Sequence, residues 1–262
     1  TMRRFFSGCC SSLQCSKLHC HGRKPVLIEQ EKHVILLGKT GNGKSSLGNT
    51  LAGNTAFETG NAASSITREC NCKKFTYAKG KKSIVVVDTP GFFDTSSGNL
   101  FEENHLEIHR SLELCGNAPH AFLIVLQCDT RFTQDEKKAI DRIDEIFPGY
   151  MRYAIVIFTH IDQLNKNQTL NDYLNPNSNN RNQDLHELIN TCGDRYFGVN
   201  NRKTNKRYRL KVLKDITEQI ERMLQIANAE HYRSNIVETV PIPNQKSVEL
   251  SQPSNSNDDD DK

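Results

Sequence analysis

The chain has 262 residues, 36% of them hydrophobic, and a formal net charge of +3. That length suits one large α/β domain with extra segments, and so weak a charge does not indicate nucleic-acid binding. No apolar stretch approaches the roughly 20 residues needed to span a bilayer, and Phe5-Phe6 is too short for the apolar core of a secretory signal.

Residues 1–30 are rich in cysteine and basic residues and lack periodicity, so they read as a flexible arm. Cys9, Cys10, Cys15 and Cys20 lie among Arg3, Arg4, Lys17, Arg23 and Lys24. Three readings of this arm stay open. Cysteines with basic neighbours suit S-palmitoylation, and two acyl chains, or one with a basic patch, hold a protein at a membrane. Cys15, His19, Cys20 and His21 are metal-capable types, although their spacing matches no standard zinc module. The third reading is a disordered arm with idle thiols.

A domain is expected over 31–230. Its first strand, 33–37, runs into Gly38-Lys39-Thr40-Gly41-Asn42-Gly43-Lys44-Ser45-Ser46, which fills G-x-x-x-x-G-K-[ST] at every fixed position. The pattern predicts a loop that cradles phosphates with inward backbone N–H groups, with Lys44 on the β- and γ-phosphates and Ser45 on Mg²⁺. A helix begins here and adds its N-terminal dipole. Such a protein works in the reducing cytosol, so the nine cysteines are expected as free thiols and the location as cytoplasmic, with or without membrane attachment. Cys128 follows an apolar run and reads as a small core residue.

The loop Ala63-Ser64-Ser65-Ile66-Thr67-Arg68 comes next. A threonine there can give its hydroxyl to Mg²⁺ and its N–H to the γ-phosphate. Thr67 is the choice, with Ser64 and Ser65 as local competitors. A weaker strand near 70–78 precedes the apolar run 84–87, which ends in Asp88-Thr89-Pro90-Gly91. Asp88 is placed to hold Mg²⁺, usually through a water, and the Gly91 N–H to meet the γ-phosphate.

Further buried strands are expected at 122–126 and 154–158, near-continuously hydrophobic as strands covered on both faces should be. Between them, Ala139, Ile140, Ile143, Ile146 and Phe147 recur at helical spacing and stop at Pro148-Gly149. The strand at 154–158 leads to Thr159-His160-Ile161-Asp162. A carboxylate at Asp162 accepts from guanine N1–H and the exocyclic amine beside it, a donor pair that adenine lacks.

Residues 163–182 read as a long polar loop or poorly ordered excursion, 195–199 as a short last strand, the stretch Arg195 to Asn201, with Asn200, as completing the base pocket, and Leu213, Ile216, Ile220 and Met223 as a late helix. Residues 231–262 show no core pattern and are expected to be disordered. Asp258-Asp259-Asp260-Asp261-Lys262 resembles a cleavage tag. The whole reads as a three-layer, doubly wound α/β domain with a mostly parallel six-stranded sheet.

From His33 to Ile226 the chain resembles the GIMAP-type (AIG-like) GTPases of immunity-associated proteins, a septin- and Toc-related group of P-loop GTPases. The resemblance rests on residues 38–49, on Asp88-Thr89-Pro90-Gly91-Phe92-Phe93-Asp94-Thr95, on the box from Leu126 to Glu136, and on Arg195 to Asn201. Two departures are His160, where many small GTPases carry lysine, and Val199 in place of a phenylalanine. Ras-like enzymes place a water-orienting glutamine where Phe92 stands, so unassisted hydrolysis should be slow.

The resemblance implies GTP and GDP as ligands with Mg²⁺, nucleotide-dependent dimerisation or oligomerisation across the nucleotide face, and an immune or stress-related role. It also implies an arginine on the helix after the second switch that reaches the partner's phosphates. Arg110 stands there, with His109 as the second candidate. A GTP-locked scaffold with negligible hydrolysis and a P-loop ATPase or small-molecule kinase are the competing readings.

Overall fold

The structure, a computed structural model, describes residues 30–60, 67, 69–91, 100–175 and 183–233, with the backbone alone for 100–105. Cys9, Cys10, Cys15, Cys20, Ser64, Ser65 and Phe92 lie outside the described residues.

Six strands form one sheet: β1 (Gln30–Leu37), β2 (Asn71–Tyr77), β3 (Lys82–Asp88), β4 (Ala121–Gln127), β5 (Ala154–Thr159) and β6 (Tyr196–Gly198). Their spatial order is β2-β3-β1-β4-β5-β6, with β2 antiparallel to β3 and every other pairing parallel. Among the described residues, six α-helices accompany them: α1 (Lys44–Ala52), α2 (Leu100–Leu114), α3 (Gln134–Ile146), α4 (Leu170–Tyr173), α5 (Gln183–Thr191) and α6 (Lys206–Ala227).

Alternation along the strands divides the core in two. Leu36, Val86, Leu123, Val125 and Ile157 pack with Leu47 of α1 and with Leu213, Ile216 and Ile220 of α6. Ile35, Val87, Ile124, Val156 and Phe158 face the other way, onto Ile108 and Leu112 of α2, Ile140 and Ile143 of α3, and Leu188 of α5. Successive side chains leave a strand on opposite faces, so uninterrupted apolar runs require cover on both sides. The three-layer expectation holds.

Within the box from Leu126 to Glu136, Thr133 and Glu136 form a reciprocal capping box. The Thr133 hydroxyl accepts the Glu136 N–H at 3.3 Å, and Glu136 Oε2 accepts the Thr133 N–H at 3.0 Å. Such a cap contributes about 1 kcal/mol to starting a helix.

Two expectations need correction. The polar loop at 163–182 contains the short α4, started by a second capping box between Thr169 and Asp172. Local side-chain-to-backbone bonds made that turn helical without an apolar stripe. Of residues 231–262, only 231–233 are among the described residues, and there Tyr232 is 1% exposed and belongs to the core. Its ring meets Phe122, Phe147 and Tyr153 edge-on, and its N–H donates to Pro119 O at 2.9 Å. One aromatic after a helix carries no periodic signal, which is why sequence patterning passes over it.

Candidate nucleotide-binding site

Chain order reverses between β1 and β4, which are neighbours in the sheet although β2 and β3 intervene in sequence. Loops leaving two such strands diverge and open a crevice at their C-terminal ends, the place where doubly wound sheets bind ligands. The loop 38–43 fills the β1 side of that crevice. A Cβ on Gly38 would stand 2.5 Å from Val125 O of β4, so only glycine lets the loop lie this close.

Side-chain hydrogen bonds tie the loop to β4 and β5. Asn42 Nδ2 donates to Val125 O at 2.9 Å, Thr159 Oγ1 donates to Asn42 O at 2.8 Å, and Gln127 Nε2 donates to Gly41 O at 2.8 Å. Asn42 and Thr159, both expected at the nucleotide, are thus spent on holding the loop. α1 starts after Gly43, an N-cap that offers no capping side chain. First-turn N–H groups need acceptors, and an anion at this point supplies them.

Lys44 is 7% exposed, and its Nζ donates to Gly38 O at 3.0 Å and Lys39 O at 3.1 Å. The ammonium is therefore curled under the loop it serves. Lys39 itself is exposed, and the Ser46 carbonyl accepts the Thr50 hydroxyl at 3.0 Å.

The three residues expected to hold Mg²⁺ converge. Ser45 Oγ donates to Asp88 Oδ2 at 2.6 Å, Thr67 Oγ1 lies 3.5 Å from the same oxygen, and the two hydroxyls are 3.4 Å apart. Burial pushes the Asp88 carboxyl above the usual carboxylate range, while the Ser45 hydrogen bond and the Lys44 charge pull it back. Asp88 Oδ1 is buried without a hydrogen-bond partner. A buried carboxylate oxygen left open beside two hydroxyls is a donor set that suits Mg²⁺, a hard ion that takes oxygen ligands and keeps several waters.

Gly91 lies against the phosphate loop: a Cβ there would meet Thr40 N at 2.5 Å. The loop that follows β3 is therefore in contact with the cradle at a point where no side chain fits.

At the base end, His160 takes a left-handed backbone conformation (φ 57°) and its Nδ1 is 3.0 Å from the Thr159 hydroxyl. Asp162 follows on a one-turn 3-10 helix, its Oδ2 accepting from Arg202 at 3.0 Å and from Gln163 at 3.2 Å. Asn200, expected in the base pocket, is 8% exposed and spends Oδ1 on the Arg202 N–H at 2.9 Å.

Its neighbour Asn201, read from the sequence as part of the base-pocket stretch, reaches the phosphate end instead. It donates to Gly43 O at 3.3 Å and accepts from the Thr50 hydroxyl at 3.1 Å. The Asn-Asn pair was visible in the sequence; which of the two faces the loop depends on the turn.

Arg110 is on α2 as expected. Its guanidinium pairs with Glu69 and Glu107, each at 3.2 Å. Glu107 also accepts the Cys70 N–H at 2.6 Å, so the arginine is held to the segment that links Thr67 to β2. The His109 ring packs edge-on against Phe147, centroids 5.8 Å apart. The described cysteines, Cys70, Cys72, Cys115, Cys128 and Cys192, are free thiols, and burial pushes Cys128 up to about 11 and Cys192 up to about 12. Cys128 is a buried core residue, as read from the sequence.

The chain is 34% identical over 217 residues to GTPase IMAP family member 8 of Mus musculus, covering 81% of this chain and 29% of that protein. It is 33% identical over 196 residues to Immune-associated nucleotide-binding protein 4 of Arabidopsis thaliana, covering 74% and 58%. It thus spans less than two thirds of either relative. The fold is similar to Toc33 from Arabidopsis thaliana in complex with GDP and Mg²⁺ (TM-score 0.52, 18% identity, 73% of this chain and 85% of that one). A structure of chloroplast translocon components, described as one in which dimerisation is important for GTPase activity, gives a TM-score of 0.54 at 18% identity, over 72% and 83%. Matching the AIG1 family over residues 32–250, a span that holds the phosphate loop, the Asp88 cluster and Asp162, the chain belongs to the AIG1 family.

Proposed function

We propose that this chain binds guanine nucleotide with Mg²⁺ and is a slow GTP hydrolase that acts as a GTP-dependent dimerisation switch. The observation that carries the reading is the meeting of Ser45, Thr67 and Asp88 within 3.5 Å, at the mouth of a phosphate loop. These residues come from a helix start, a connecting loop and a strand end, so their convergence is a product of the fold.

Lys44 and the first-turn N–H groups of α1 would hold the phosphates, and Asp162 would read the base. Ser45, Thr67 and Asp88 would hold Mg²⁺, which when bound neutralises charge on the phosphate oxygens. Hydrolysis is slow in this reading because Phe92 cannot orient water. Arg110 is the candidate for stimulation in trans, and pairing through the nucleotide face would bring it to the partner's phosphates.

The dimerisation reported for the Toc33-like neighbours and the names of the relatives support the switch and an immune or stress-related role. The same proposal places the protein in the cytoplasm and assigns Cys9, Cys10, Cys15 and Cys20 to reversible membrane attachment. Thioester-sensitive labelling of the arm tests that attachment.

Phosphate release measured against protein concentration tests the core of the proposal. A rate per molecule that rises with concentration, with a larger mass in a non-hydrolysable GTP analogue than in GDP, is the expected result. A flat rate at blank level with the same change in mass would turn the protein into a GTP-locked scaffold. Preference for ADP over GDP in competition would end the guanine reading.

A further inference from the structure

We propose that Arg202 is a placeholder for the guanine edge: its guanidinium pairs with Asp162, and the incoming base competes with it for that carboxylate. The inference rests on the guanine reading above. Arg202 donates to Asp162 Oδ2 at 3.0 Å, with side-chain exposures of 72% and 20%. A guanidinium offers coplanar N–H donors to a carboxylate, as guanine does with N1–H and its exocyclic amine. Oδ2 already accepts from Arg202 and from Gln163. A base that bonds to Oδ2 therefore competes with the arginine for that oxygen.

The backbone of Arg202 is tied down, while its side chain is exposed. Its N–H donates to Asn200 Oδ1 at 2.9 Å, and the Asn200 N–H donates to Tyr208 Oη at 2.7 Å. The Lys203 N–H donates to Asn200 O at 3.1 Å, closing the turn. Only the exposed guanidinium end has room to leave. Exposed ion pairs are weak, so a ligand with matching donors displaces this one at little cost, whereas a ligand without them gains nothing by doing so. The arginine thus keeps Asp162 paired until a suitable edge arrives.

Arg202→Ala should tighten GDP binding about two- to fivefold, the range set by the worth of an exposed pair, and should speed association. A purely structural role for Arg202 would do the opposite. Stopped-flow and equilibrium titration of the full chain with a fluorescent GDP analogue read both quantities, in the wild-type and Asp162→Asn backgrounds. Tightening in the wild-type background and none with Asp162→Asn is the expected result. Unchanged or weaker binding of Arg202→Ala, or equal tightening in both backgrounds, overturns the placeholder while the loss caused by Asp162→Asn keeps the guanine reading. If Asp162→Asn leaves GDP affinity untouched, the guanine reading fails and the placeholder falls with it.

Discussion

Ser45 Oγ and Asp88 Oδ2 are 2.6 Å apart, which ties the first turn of α1 to the last residue of β3. The carboxylate spends one oxygen on this bond and leaves Oδ1 buried and unpartnered. An ionised oxygen in that position is a cost the domain carries until a cation meets it. Asp88→Asn should therefore raise the melting temperature of the nucleotide-free protein and remove the Mg²⁺ dependence of GDP binding. Calorimetry and titrations with and without chelator check both; a variant that still gains affinity from Mg²⁺ would contradict the site.

Gly91 has no room for a side chain, since a Cβ would stand 2.5 Å from Thr40 N and 2.9 Å from Thr40 Cα. Backbone cannot give way as a side chain can. Gly91→Ala should weaken a non-hydrolysable GTP analogue about tenfold while affecting GDP less, because the Gly91 N–H is assigned to the γ-phosphate. Parallel titrations with the two nucleotides decide it.

Arg110 is an exposed side chain held by two carboxylates. Arg110→Ala should leave GDP affinity intact and lower concentration-dependent turnover by a factor of about 10³ or more if the arginine serves as a finger in trans. Glu69→Gln frees one side of the guanidinium and should raise turnover at a given concentration. Steady-state assays across a concentration series measure both.

His120 gives a pH dependence at the far end of the sheet. Burial, with the charges of Lys32, His33 and His231, lowers its pKa from 6.5 to about 4. Its Nδ1 accepts the His33 N–H at 3.0 Å, which requires the unprotonated ring. A histidine with a depressed pKa stabilises the fold above its unfolded value, and that stability is lost as pH falls. The loss should run from about pH 6.5 down through about 4. His120→Asn retains an acceptor and should flatten thermal stability over that window.

Tyr232 is the test of where the domain ends. Truncating a fully buried aromatic costs about 3–5 kcal/mol, so Tyr232→Ala should lower unfolding free energy by that order. Tyr232→Phe keeps the ring, gives up the 3.4 Å hydroxyl contact to Pro148 O and should cost less. Chemical denaturation separates the two.

What the sequence disclosed follows from the range of each interaction. Val34–Leu37 and Ile84–Val87 announced themselves because strands buried on both faces need unbroken apolar runs. β1 nonetheless starts at Gln30, because Gln30, Glu31 and Lys32 pair with Lys82, Ser83 and Ile84 beyond the apolar stretch. Ladder bonds do not ask for hydrophobic side chains.

The phosphate loop and Asp88 were legible since their spacing is local. The contacts of Asn201 and Arg202 were not, because their partners Gly43 and Asp162 are 158 and 40 positions away. α5 was missed for a related reason: Leu185, Leu188 and Ile189 give one short apolar stripe at the end of an Asn-rich stretch.

Tyr232 beds against Pro119 and Phe122, where β4 begins, and Gln30 opens β1 at that same margin. Both flanks of the polypeptide therefore depart from the pole opposite the phosphate cradle. A tether on the leading flank would join the domain at that pole, with the cradle at the other end of the sheet.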